Sequence, residues 1–242
     1  MDFDTEMIAR RFGLDPIPES VTRLTRLISS QNAELDELAS IIAQDPMLTA
    51  RLLRMANRTD KDDAPPASAA DAVGAALLRS GLGAVFLLTM GDLLMRSLVR
   101  TFGIMLSSQL KPVPPRELAP IRDEHMLCEV NFRGRAIGKI QLRLTEDAGR
   151  ALAARMLGVP AESISSSGEK DDAITELLNV VAGNFLSNLA DAGMPCRLTA
   201  PTLYRTSEFA IRPVPRGVYE RLAFRTAETG FFMDMSVNPW ND

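Results

Sequence analysis

Glu176 and Asn179 stand three residues apart in a segment whose apolar residues repeat at helical spacing. At about 100° per residue, such a pair projects from the same side of a helix, one turn apart. A carboxylate accepts hydrogen bonds or pairs with a cation, whereas a primary amide both donates and accepts. We therefore take Glu176 and Asn179 as the candidate working residues of the chain.

Two further residues fall on the same outward stripe of this helix. Gly183 removes bulk beside the pair, at a cost in helix propensity of about 1 kcal/mol relative to alanine. Asp172 is expected to assist docking or to favour the positive amino end of the helix. The opposite face is apolar and is expected to be buried. It carries Ile174, Leu177, Leu178, Val181, Ala182, Phe185 and Leu189. A plain solvated face is the alternative, because acidic and amide residues at this spacing are common on exposed helices.

Composition excludes several kinds of chemistry. His125 is the only histidine, so a histidine-rich metal site or a dinuclear phosphohydrolase centre cannot be built, and we expect no metal or cofactor of the chain's own. The chain carries 27 Lys and Arg against 31 Asp and Glu, a net charge of -4. Without a basic tract, nucleic acid is not expected as a partner.

The same reading places the chain in the cytoplasm. Cys128 and Cys196 are the only cysteines, which suits two free thiols in a reducing compartment. The amino terminus is acidic and lacks the basic start and apolar stretch of a secretory signal. The longest apolar run, residues 82–91, is too short to cross a bilayer, so no membrane is expected.

The second half of the chain reads as α+β, with long helices packed on a mostly antiparallel sheet. Ser166 and Glu169 suit a capping box that starts the helix bearing Glu176, and Gly193 suits its carboxyl end near Ala192. Segments with strand-like patterns lie at 126–132, 136–144, 197–204, 217–226 and 231–237.

The first half reads as an all-α domain. Asp45 and Pro46 are a strong helix start, with Asp45 as the N-cap and Pro46 in the first turn. Gly81 is placed to end a helix. Further helices are expected at 21–28, 35–42, 69–79 and 85–102. Four prolines between 110 and 120 favour a stiff linker, so we divide the chain into a helical domain (1–109), a Pro-rich linker (110–120) and an α+β domain (121–242). No internal repeat is evident between the halves.

The helical half resembles the first half of an HDOD domain, a histidine-poor relative of the HD phosphohydrolases. The residues that carry this resemblance are Pro18-Glu19-Ser20-Val21, Asp45-Pro46-x-Leu48-x-x-Arg51-Leu52-Leu53 with Ala56-Asn57, and Ala72-Val73. The resemblance implies a truncated HDOD-like domain that serves signalling or protein contact. A helical cap or a dimerisation bundle is an open alternative.

The α+β half resembles the CheC, CheX and FliY phosphatases of bacterial chemotaxis. The pattern consists of Asp172-x-x-x-Glu176-x-x-Asn179 followed by Val180-Val181-Ala182-Gly183-Asn184, with Gly193 and Pro201 at the flanks. A single copy of the Glu-x-x-Asn motif is more similar to CheX than to CheC, which has two.

This second resemblance implies hydrolysis of the phosphoaspartate of a CheY-type response regulator. In the family the asparagine amide holds a water in line with phosphorus and the glutamate pairs with a lysine of the regulator, roles that would fall to Asn179 and Glu176 here. Mg²⁺ is expected on the partner receiver domain, and a homodimer is expected because CheX relatives pair through their sheets. A non-catalytic signalling adaptor that keeps the CheX fold is the competing hypothesis.

Overall fold

The computed structural model describes residues 17–29, 34–56, 69–164 and 166–238. Six α-helices and seven β-strands lie within them. The helices are α1 (Glu19–Ser29), α2 (Leu35–Ala43), α3 (Pro46–Ala56), α4 (Ala69–Met105), α5 (Glu146–Leu157) and α6 (Ser167–Asp191). The strands are β1 (Lys111–Val113), β2 (His125–Gly134), β3 (Ile137–Leu144), β4 (Cys196–Leu198), β5 (Thr202–Thr206), β6 (Val218–Arg225) and β7 (Gly230–Asn238). The described part therefore has the predicted order, helices first and then an α+β arrangement.

The helix start predicted at Asp45 is confirmed. Asp45 Oδ1 accepts hydrogen bonds from the backbone N–H of Met47 at 2.9 Å and of Leu48 at 3.1 Å, which satisfies two donors of the first turn of α3. Asp45 Oδ2 accepts a third bond, of 2.7 Å, from the Ser20 hydroxyl of α1. One carboxylate thus caps a helix and ties it to another.

Helix α4 is interrupted at Gly81, whose φ of 70° and ψ of 175° are not helical. Glycine adopts such angles at little cost because it has no Cβ. The stretch Gly81–Met105 that follows is long and apolar enough to cross a membrane by length and composition, but 67% of its most apolar window is buried inside the protein. It is packed as a core helix.

All seven strands form one sheet, in the order β1-β6-β7-β3-β2-β4, with β5 also paired to β2. Every pairing is antiparallel. One face of the sheet packs under the helices. There the ring of Phe102 from α4 stacks on Phe231 of β7 at 5.2 Å between centroids. The predicted architecture of long helices on an antiparallel sheet is confirmed.

Two predicted segments differ from the structure in detail. Residues 197–204 form two short strands, β4 and β5, both paired to β2, rather than one. The break lies beside Pro201, which has no N–H to donate to a ladder.

Part of the Pro-rich segment at 110–120, read from composition as a linker, is strand β1. It pairs with β6 at an edge of the sheet, with Lys111 opposite Arg225. Proline is tolerated on edge strands, so its density suits this role as well. The domain ranges 1–109 and 121–242 stay predictions.

The far face of the sheet carries a buried charge cluster that holds residues 208–210 against it. Asp234 accepts hydrogen bonds from Arg143 Nε at 2.7 Å and from Arg221 Nε at 2.6 Å. The same guanidinium groups donate to the carbonyl oxygens of Glu208 and Phe209. Both cations pair with the same carboxylate, and their remaining N–H groups donate to carbonyl oxygens, so the buried charged groups are hydrogen-bonded.

Candidate functional site

The site is carried by α6, and both predicted ends of this helix are confirmed. Ser166 Oγ accepts a hydrogen bond of 3.2 Å from the backbone N–H of Glu169. At the other end Gly193 adopts a φ of +89°, and the N–H of Met194 donates to the Leu189 carbonyl at 2.9 Å. Such a left-handed residue followed by a six-to-one hydrogen bond is how glycine ends many helices.

The two faces of α6 are divided as the sequence predicts. Every member of the apolar set is buried: Ile174, Leu177, Leu178, Val181, Ala182, Phe185 and Leu189. Asp172, Glu176 and Asn179 are exposed, and Gly183 is half-buried. The four residues therefore lie on the outward side of a helix whose other side is fixed in the core.

Glu176 and Asn179 contact one another. Asn179 Nδ2 donates to Glu176 Oε2 at 3.4 Å, a long distance for an N–H···O hydrogen bond between exposed groups. A bond of this length contributes little, so either side chain can exchange it for a group of a docked molecule. The carboxylate and the amide are thus side by side and accessible.

Gly183 leaves the surface next to this pair flat. A Cβ built on it would meet no atom within 4 Å, so no contact inside the protein requires the glycine. What the missing side chain does is lower the surface one turn beyond Asn179.

The outward stripe is bordered on one side by α4, which runs antiparallel to α6. Asn184 Nδ2 donates to Thr101 Oγ1 at 3.0 Å, and Asn188 Nδ2 donates to Ser97 Oγ at 3.1 Å. Both amides serve as anchors between helices, as their position at the border of the apolar arc suggests. The sequence signal for the pairing is only a shared spacing of four residues, between Ser97 and Thr101 and between Asn184 and Asn188.

On the side of α5, a charge cluster fixes the first turns of α6. Arg205 of β5 donates to Asp171 at 2.6 Å and to Glu146 of α5 at 2.7 Å. Lys170 also donates to Glu146. Burial would raise the pKa of the Glu146 carboxyl, but the hydrogen bonds from Arg205 and Lys170 outweigh it and hold that pKa below its usual value. Sequence reasoning did not find Arg205, because its partners lie far away in the chain.

The described residues offer little for other chemistry. Within them no three His, Cys, Asp or Glu side chains come together as a metal site. Burial raises the pKa of the Cys128 thiol to about 11, so it stays protonated at neutral pH and is a poor nucleophile. His125 is buried beneath Phe209, with Nδ1 3.0 Å from the Asp123 carbonyl oxygen. It packs as a structural residue.

Comparison with known families separates the two halves. The family described as "Chemotaxis phosphatase CheX" matches residues 126–222, and the HDOD domain family matches residues 14–107. The chain joins an HDOD-like domain to a CheX-like domain. Glu176, Asn179, Asp172 and Gly183 all lie inside the matched CheX segment. No curated protein matches the chain significantly.

Solved structures agree with the CheX-like fold. A CheX chemotaxis protein of Vibrio vulnificus is 20% identical, with a TM-score of 0.53, over 62% of this chain and 99% of its own. A CheX protein of Desulfovibrio desulfuricans (18%, TM-score 0.52) covers 62% and 99%. A CheC-like protein of Shewanella sp. PV-4 (20%, TM-score 0.53) covers 62% and 97%.

The covered share shows how far the CheX-like fold extends. Residues 121–242 make up half of the chain, so a match over 62% must include residues before 121. Helix α4 is the element that packs on both α6 and β7. Its second part therefore serves the CheX-like domain as a core helix, although residues up to 107 also match the HDOD family.

Proposed function

We propose that this chain hydrolyses the phosphoaspartate of a CheY-type response regulator, with Asn179 and Glu176 as the acting residues. The observation that carries the proposal is their exposed, adjacent placement on a helix that is otherwise anchored in the core of a CheX-like domain. The description of the matching family as a chemotaxis phosphatase supports the same reading.

The proposed step needs little from the enzyme besides position. A water lined up with phosphorus attacks as the bond to the aspartyl oxygen breaks, so that inorganic phosphate leaves and the receiver recovers its carboxylate. Mg²⁺ held by the receiver neutralises the charge on the phosphoryl oxygens. Asn179 would aim the water through its amide, and this accounts for a phosphatase with one histidine.

Glu176 would act as the docking group. An exposed carboxylate beside Asn179 can pair with the lysine of a receiver site when Asn179 reaches the phosphoryl group. Asp172, one turn earlier on the same stripe, adds a second negative charge to the approach. Through the lysine of the receiver these carboxylates would orient the encounter.

A second candidate function is a non-catalytic adaptor that binds receivers through the same surface. The observation that favours it is the tight joining of the CheX-like domain to an HDOD-like domain through the shared helix α4. A cytoplasmic homodimer is part of the proposal in either form.

An assay of phosphate release separates the two candidates. The purified chain is incubated with Mg²⁺ and CheY-type receivers that have been phosphorylated by acetyl phosphate. We expect wild type to accelerate phosphate release and Asn179→Ala to reduce that acceleration by roughly 100-fold or more, as for other residues that position a reacting group. Asn131→Ala, which removes an exposed amide from β2, is the matched control and should retain full activity. Binding without release in the wild type would favour the adaptor.

Glu176→Ala tests whether Glu176 belongs to the site. Loss of the carboxylate should raise KM and lower turnover together, because the pairing both recruits the receiver and sets its orientation. Circular dichroism should show unchanged melting for both variants, since both side chains are exposed. Unchanged kinetics in Glu176→Ala would remove this residue from the site.

A further inference from the structure

The outward side of α4, next to the acidic stripe of α6, carries two exposed side chains that the core does not use. Ile104 is 57% exposed, an unusual position for a large apolar residue on a helix that is mostly buried. Arg100, one turn before it, is exposed as well. Among the described residues no carboxylate pairs with Arg100.

The hydrogen bonds between the two helices fix where these residues lie. Thr101 is level with Asn184, and Ser97 is level with Asn188, so a step of four residues along α4 matches the same step backwards along α6. Ile104 is therefore level with Val181, close to the turn that contains Asn179. Arg100, next to Thr101, lies roughly 6 Å from Ile104 along the axis of α4.

The two helices differ in charge on this side. The stripe on α6 presents the carboxylates of Asp172 and Glu176, whereas α4 presents the guanidinium group of Arg100. Arg96, one turn before Arg100, is already bonded to Asp92 at 2.6 Å. Among the described residues of α4, Arg100 is thus the exposed cation that is available to another molecule on this side.

Phosphorylated receivers have a site that complements this pattern. Carboxylates that hold Mg²⁺ and the phosphoryl group itself make the rim of the site acidic, while a lysine provides a local positive charge. A partner whose lysine meets Glu176 would bring acidic groups over the neighbouring helix. An exposed apolar residue between the charges would exclude water from the contact.

We propose that Arg100 and Ile104 form the second half of the docking surface, with Arg100 pairing with the acidic rim of the receiver and Ile104 packing beside it. This inference rests on the proposed function, because it takes a phosphorylated receiver as the occupant. Arg100 is a specificity-determining residue that touches the partner outside the reacting atoms. It should act on binding and leave the chemical step unchanged.

The test measures phosphate release from CheY-type receivers phosphorylated by acetyl phosphate, at a series of receiver concentrations and salt concentrations. We expect Arg100→Glu to raise KM by roughly tenfold, to leave kcat within about twofold, and to weaken the salt dependence of kcat/KM. Arg100→Lys should recover most of the affinity. Arg116→Glu, which makes the same charge change at another exposed arginine, should match wild type.

Calorimetric measurement of the binding of receivers loaded with beryllofluoride separates this inference from the proposed function. Weaker binding by Arg100→Glu than by the wild type supports the docking surface, even if the wild type releases no phosphate. Absence of phosphate release with binding retained would contradict only the proposed phosphatase activity. Turnover by the wild type together with an unchanged KM and unchanged binding in Arg100→Glu would overturn the docking surface alone. Absence of both binding and turnover in the wild type would overturn both.

Discussion

Arg51 of α3 donates a hydrogen bond of 3.1 Å to Glu220 of β6, although 169 residues separate them in the chain. The same guanidinium donates to the Leu88 carbonyl of α4 at 3.2 Å. Gly91 makes the contact possible, because a Cβ at that position would collide with both charged groups. This ion pair joins the HDOD-like helices to the sheet of the CheX-like domain.

We expect the Arg51–Glu220 pair to stabilise the whole chain. Their side chains are only 10% and 16% exposed, so removing one partner leaves the other charge buried. Arg51→Met or Glu220→Gln should each lower the free energy of unfolding by about 2 kcal/mol. The double variant should cost less than the sum of the two, with a coupling of about 1 kcal/mol or more in urea unfolding.

The exposed pair Arg212–Glu208 is the matched control for this cycle. These side chains are 76% and 45% exposed, and their coupling should stay within about 0.5 kcal/mol. If Arg51 and Glu220 show no larger coupling than the control, their contact does not hold the two domains together.

Much of the site was predictable because local rules decide it. The period of apolar residues on α6 fixes which face is buried, and Ser166 and Gly193 fix where the helix begins and ends. Once that helix is set, Glu176 and Asn179 must share its outward side.

The role of α4 could not be predicted in the same way. An apolar helix is predicted to be a core helix in any domain, and its own sequence does not show which sheet it packs against. Its assignment depends on contacts such as that of Thr101 with Asn184, 83 residues away, and that of Phe102 with Phe231 of β7. Strand β1 was missed for a similar reason, since only β6 makes Lys111–Val113 a strand.

The stability of the α5–α6 region should depend on acid pH through Glu146. Hydrogen bonds from Arg205 and Lys170 hold the Glu146 pKa below its ordinary value of 4.5, despite partial burial. A carboxyl whose pKa is lower in the folded than in the unfolded protein stabilises the fold at pH values above its unfolded-state pKa. This contribution is lost as the pH falls through the folded-state pKa. Wild type should therefore exceed Glu146→Gln in stability at pH 7, and the difference should shrink below pH of about 4.5.

Asp147→Asn tests whether this effect belongs to the cluster or to any carboxylate in the first turn of α5. Asp147 is exposed, and within the described residues it forms no ion pair. Urea midpoints measured from pH 7 to pH 3 should show a smaller and flatter difference for this variant. A difference between wild type and Glu146→Gln that stays constant over the same range would exclude the assigned cluster.

Substitutions at Gly183 test separately its effect on the stability of α6 and its effect on docking. Gly183→Ala should stabilise the chain by up to about 1 kcal/mol, because the added methyl gains helix propensity and meets no atom within 4 Å. Gly183→Leu should retain the fold but cover the surface one turn beyond Asn179, so phosphate release should fall through a raised KM. Gly168→Leu places the same bulk at another open position of α6 and should keep wild-type kinetics. Equal activity in Gly183→Leu and Gly168→Leu would mean that the receiver does not approach α6 across Gly183.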